Sequence, residues 1–234
     1  VDRITEVGAV LWDFERQTPV QILSELIDEQ DRLTISEEIQ ELTGIDDQML
    51  KQWGLKNEQI RAFLKQLSVL IEKADYLMAH NGPNYDIPML RALFQRFDLE
   101  FPEKTWIDTS KDVEYPRTIR LHNLASLEHA HGFINPFPHR AITDVLSMLK
   151  IASHYPLHRM AALAESPKVT LVAKLKAPNW KDPDDVESFQ RTKHRVAKSK
   201  FKWDPRKKTW SREVHKVLLD EEKFDFDFDW YIQT

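Results

Sequence analysis

The chain has 234 residues, 41% hydrophobic and 30% charged, with a net charge of −5, enough for a packed core in one large domain or a medium plus a small one. That balance excludes a molecule coated in basic surface but not a local basic groove. The absence of cysteine excludes disulfides, thiolate nucleophiles and cysteine-ligated zinc, and makes a reducing cytoplasm the expected compartment. No bilayer-length apolar run and no charged-then-apolar leader occurs, so no membrane partner is expected.

The chain opens at Val1 and turns strand-like within two residues, as a sequence taken up partway through would. Residues 3–13 (RITEVGAVLWD) alternate polar and apolar side chains and then become continuously apolar, the pattern of a strand. A second β-like run, PVQILSELID, follows the turn-prone Arg16-Gln17-Thr18-Pro19, and an antiparallel pair is expected. Ser36 with Glu37 and Glu38 starts a short helix that Gly44 closes. The strongest helical signal is the face formed by Ile60, Phe63, Leu64, Leu67, Leu70 and Ile71, with Asn57 placed to cap it. Residues 75–79 read as a short buried strand ended by the turn cluster His80-Asn81-Gly82-Pro83.

Further helices are expected through Leu90, Leu93, Phe94 and Phe97, over 121–130, and over about 139–153, with Trp106-Ile107 as a short strand. Strands first, then alternating helices and strands, imply an α/β fold with a mixed sheet flanked by helices. The periodicity stops at Tyr155-Pro156, so a linker is placed there, dividing the chain into 1–157 and 167–234. The second piece predicts a strand over 169–174, a polar middle, and a hairpin turning at Asp204-Pro205-Arg206, in all a small α+β or β module.

Two elements could carry chemistry. In His80-Asn-Gly-Pro-Asn-Tyr-Asp86, an acid sits where a buried strand ends and a helix begins, facing the crevice where open α/β sheets bind ligands. Alone, Asp86 in the first turn of a helix reads as an acid serving the helix dipole. In His139-Arg-Ala-Ile-Thr-Asp144, the histidine follows Pro136-Phe137-Pro138 at a helix start, and Asp144 lies beside the apolar stripe of Ile142 and Val145. A carboxylate there is costly unless paired or bound to a metal. One His and two Asp at strand and helix ends form a credible set for metal-assisted phosphodiester hydrolysis. Two cations about 4 Å apart can activate water and neutralise the developing charge, and an imidazole can take the proton.

In order, RITEVGAV, TGIDDQML, HNGPNYDIPML, WIDTSKD and HRAITDVLSML resemble the DEDDh group of 3′–5′ exonucleases over about residues 3–153. The resemblance implies a ribonuclease-H-like fold and a Mg²⁺- or Mn²⁺-dependent enzyme releasing nucleoside monophosphates from nucleic acid, DNA rather than RNA. It implies Asp86 and Asp144 as metal ligands, His139 as general base, and Asn81 and Tyr85 as neighbours of the terminal nucleotide. DNA repair is the implied setting, with no replication or repair partner indicated. The group's first motif, Asp-x-Glu, is missing: Asp2 and Glu6 are four residues apart, and Glu6 reads as structural. Either the motif precedes Val1 or the protein is a catalytically silent nucleic-acid-binding or partner-docking relative; an RNA-trimming exonuclease is a further alternative.

Residues 191–212 contain ten Lys or Arg and one acid, Asp204. Lys200, Lys202, Trp203, Arg206, Lys207, Lys208 and Trp210 combine cations for phosphates with aromatic faces for bases. The tryptophans could equally fill a small core. AKSKFKWDPRKKTWSREV resembles the tail of exodeoxyribonuclease-X-like enzymes, and the acids of 220–229 read as a solvated edge.

Overall fold

The computed structural model describes residues 3–29 and 33–233. The chain divides into two compact units, Val1–Ala164 and Glu165–Thr234.

In the first unit, β1 (Glu6–Asp13) and β2 (Thr18–Leu26) form the expected antiparallel pair, with a register shift between Leu11 and Trp12. Helix α1 (Glu37–Thr43) is capped by the Ser36 side chain and stopped by Gly44 at a φ of 69°. Helix α2 (Asp47–Trp53) follows at once, capped by Asp46. Helix α3 (Glu58–Lys73) buries all six residues of the expected face. Asn57 does not cap it as expected: its φ of 44° accompanies no side-chain capping bond.

Strand β3 (Leu77–Ala79) pairs in parallel with β4 (Trp106–Asp108), and α4 (Asp86–Arg96) lies between them in sequence. Helices α5 (Leu124–Ala130), α6 (Ala141–Ala152) and α7 (Leu157–Glu165) complete the unit. The last of these occupies the stretch expected as a linker, with Met160, Ala161 and Leu163 buried.

The helix-on-sheet α/β architecture is as expected, with strands of both senses arranged as two separate pairs. One core joins them: Val7 of β1 and Leu77 of β3 pack with Ile60, Leu64 and Leu67 of α3 and Phe94 of α4. Arg96 holds Glu29 at 2.5 and 2.7 Å, so this nearly buried carboxylate is paired.

The second unit is a four-stranded antiparallel sheet of β5 (Lys168–Ala173), β6 (Lys202–Asp204), β7 (Thr209–His215) and β8 (Trp230–Gln233), ordered β6-β7-β5-β8. The expected polar middle is helix α8 (Pro183–Lys198), which buries only Val196. A short helix, α9 (Lys216–Asp220), follows β7. Phe224, Phe226 and Phe228 pack onto the core of Leu171, Phe201 and Val214 while the intervening aspartates face water. Among the described residues, no helix is long and apolar enough to cross a membrane.

Candidate active site

The first acidic position is built by the turn after β3. Parallel pairing sets Ala79 opposite Asp108, so the end of β4 lies beside the turn. Asn81 adopts a φ of 65°, a left-handed conformation that Asn tolerates, and its N–H donates to Asp108 Oδ1 at 2.8 Å. Its side-chain oxygen accepts from Asn84 Nδ2 at 2.6 Å. A 3₁₀ turn, Gly82–Asn84, then delivers Asp86 to the first position of α4. Tyr85, just before it, is 66% exposed.

Asp108 is the group that the sequence reading missed. It is buried, and its Oδ1 also accepts from the Ser110 N–H and hydroxyl, with Lys111 Nζ 3.3 Å from Oδ2. Burial alone would raise its pKa. The bonds from Ser110 and Asn81 and the Lys111 charge outweigh burial and hold it below the usual Asp range. Asp86 moves the other way, raised by desolvation and by the Asp108 charge. The Asp86 side chain nonetheless reaches solvent. His80 Nδ1 lies 2.9 Å from the Thr109 hydroxyl, and burial lowers its pKa.

The second position is built where α6 meets β1. Arg140 occupies the N-cap position without capping by its own side chain. Glu6 does that work from β1: Oε2 accepts the Ala141 N–H at 2.7 Å, and the carboxylate holds the Arg140 guanidinium through Nε and Nη2 at 2.7–3.2 Å. Glu6 is thus engaged in structure, as the sequence suggested. Gly8 allows the approach, because a Cβ there would stand 2.6 Å from the Ile142 nitrogen.

Asp144, one turn into α6, accepts from Asn135 Nδ2 at 2.8 Å. Asn135 is itself buried, and its Oδ1 accepts from the Phe137 N–H. Desolvation raises the Asp144 pKa, with the charges of Glu128 and Glu6 adding to it; the His139 backbone bond and the His139 charge oppose it. His139 is exposed, in a left-handed conformation at a φ of 65°.

The structure therefore brings His139 and Asp144 together, and sets Asp86 with Asn81 around Asp108. Among the described residues, no three His, Asp or Glu side chains converge closely enough to hold a metal ion. A hard divalent cation takes six or more oxygen ligands, several of which can be water. The described carboxylates thus do not complete the two-cation site that the resemblance implies. Asp2, half of the imperfect first motif, lies outside the described residues.

The basic and aromatic set lies wholly in the second unit. Lys200 follows α8, Lys202 and Trp203 are on β6, Arg206, Lys207 and Lys208 form the exposed turn, and Trp210 is on β7. Trp203 and Trp210 are direct cross-strand partners with ring centroids 5.8 Å apart.

Residues 1–152 match the model of the RNase T exonuclease family, described as Exonuclease. A curated relative, the 3′–5′ exonuclease DinG of Staphylococcus haemolyticus, is 32% identical over 108 residues, which are 45% of this chain and 11% of that protein. The chain thus spans about a tenth of that relative's length. Among solved structures, the nuclease domain of 3′hExo, a DEDDh family member bound to rAMP, superposes with a TM-score of 0.53 at 19% identity, covering 65% of this chain and 80% of that one. A 3′-exonuclease solved for its 3′-end-specific recognition of a histone mRNA stem-loop gives 0.51 at 17% identity, covering 64% and 70%. These structures share its fold, and the match over residues 1–152 places the chain in the RNase T exonuclease family.

Proposed function

We propose that the chain removes nucleotides from the 3′ end of nucleic acid, DNA in preference to RNA, as nucleoside monophosphates, in a reducing cytoplasm. Asp86 and Asp144 are the carboxylates assigned to Mg²⁺ or Mn²⁺, and Asn81 and Tyr85 lie beside the terminal nucleotide. His139 takes a proton as the water oxygen bonds to phosphorus and the bond from phosphorus to the 3′-oxygen breaks. The observation that carries this reading is the coupling of His139 to Asp144 at the start of α6, inside the family match. Desolvation pushes both assigned carboxylates toward protonation, as is common for acids at functional sites.

The test is digestion of 3′-labelled single-stranded DNA and RNA of one sequence with Mg²⁺ or Mn²⁺. The parent is expected to release labelled monophosphate, faster from DNA, and Asp144→Asn to slow release by at least about 100-fold. Equal rates for parent and variant, or no release from either polymer, would refute the reading.

A further inference from the structure

The exonuclease reading leaves the second unit without a task, and its hairpin carries an unusual surface. Trp203 lies on an edge strand of three residues and is 48% exposed. Its partner Trp210 packs against the core of Leu171, Val196 and Phe201. The small core is therefore closed by Trp210, and the Trp203 ring lies beside it at an interplanar angle of 48° with half its surface in water. If Trp203 were only a lid, it would turn more of its ring inward.

The surrounding charge is one-sided. Asp204 is the only acid in the hairpin from Lys200 to Trp210. Its Oδ1 is occupied by the backbone N–H groups of Arg206 and Lys207, folding the turn. Among the described residues, none of Lys200, Lys202, Arg206, Lys207 and Lys208 has an acidic partner, and all five are exposed. By strand alternation Lys202 points to the face opposite Trp203, while the turn cations stand at the end of the tryptophan pair. An exposed aromatic face beside unpaired cations suits a ligand that alternates flat π-systems with anions. Single-stranded nucleic acid has that chemistry, whereas an acidic protein surface offers the anions without the stacking partner.

We propose that the Trp203–Trp210 hairpin is a docking surface for single-stranded nucleic acid, with a base stacked on Trp203 and phosphates following Arg206, Lys207 and Lys208. The site lies within the second unit and rests on the exonuclease reading only for its ligand class.

Binding of the full chain to a fluorescein-labelled oligothymidylate of about 20 nucleotides, a length that covers one such site, tests it by anisotropy. All samples carry Asp144→Asn and are read without added divalent metal, with the label checked for intact length after each titration, so binding is scored apart from any hydrolysis and from failure of the nuclease reading. Trp203→Ala is expected to raise Kd about tenfold, and Trp203→Phe, which keeps a stacking face, by less than about threefold. The double reversal Lys207→Glu, Lys208→Glu is expected to flatten the slope of log K against log salt by about 1.4, close to 0.7 for each phosphate contact. Circular dichroism melts matching the parent confirm that these exposed substitutions leave the fold intact. A Trp203→Ala Kd within twofold of the parent, or an unchanged salt slope after charge reversal, overturns the proposal. Loss of binding on charge reversal without any effect of Trp203→Ala also overturns it, by pointing to simple charge attraction.

Discussion

Gly8→Ala puts the contact between β1 and α6 under direct strain. The added methyl carbon would lie 2.6 Å from Ile142 N, 2.7 Å from the Ala141 carbonyl carbon and 2.9 Å from Ile142 Cα, all main-chain atoms. Reaching an ordinary contact of 3.4 Å requires the start of α6 to retreat by roughly 0.8 Å. That movement stretches the bond from the Ala141 N–H to Glu6 Oε2, now 2.7 Å, beyond useful range. Overpacking costs about 1–3 kcal/mol, and loss of the helix cap about 1 kcal/mol more.

At about 2–4 °C per kcal/mol for a chain of this size, melting should fall by roughly 5–15 °C. Scanning calorimetry reads this on the transition of the unit holding β1. Because α6 carries Asp144 and follows His139, a displacement near 1 Å should also slow hydrolysis by about 100-fold. A variant melting within about 1 °C of the parent and keeping its rate would refute the account, since α6 would not rest on Gly8.

Arg140→Ala should destabilise by about 2–3 kcal/mol, somewhat less than a fully buried pair because Arg140 is 34% exposed while Glu6 is 7% exposed. Glu6→Gln added to it should recover part of the loss, and chemical denaturation of both variants checks the order. Desolvation raises the Asp144 carboxyl above its ordinary value, so the folded state binds that proton more tightly than the unfolded one. Its contribution to stability therefore grows as pH falls through the raised value and levels off below the ordinary one. Asp144→Asn should melt higher than the parent at neutral pH, with the gap closing below about pH 4; a gap that widens on acidification would refute this.

What the sequence made legible is what local pattern can carry. Helix α3 was plain because six apolar residues repeat at helical spacing and all six are buried. Helices α2 and α8 were not, because each buries a single residue, Leu50 and Val196, and leaves no periodic stripe. The acids after residue 220 drew attention to charge, while the alternating Phe224, Phe226 and Phe228 carried the packing. His139 and Asp144 are five residues apart and could be read as a unit. Asp108 could not be tied to Asn81, because a parallel strand pair brings them together across 27 residues. The Glu6–Arg140 lock spans 134 residues and involves two ordinary charges, so only the folded chain reveals it.

His139 sits at a φ of 65°, where a residue with a side chain is strained and glycine is at ease. Replacement by glycine would relieve on the order of 1 kcal/mol of backbone strain. It would also delete the imidazole on which the proposed chemistry depends. Heat tolerance and turnover therefore pull this one position in opposite directions. A laboratory selection for thermostability alone would drift toward glycine here and return a sturdier, inert protein, so such a selection has to score activity in the same round.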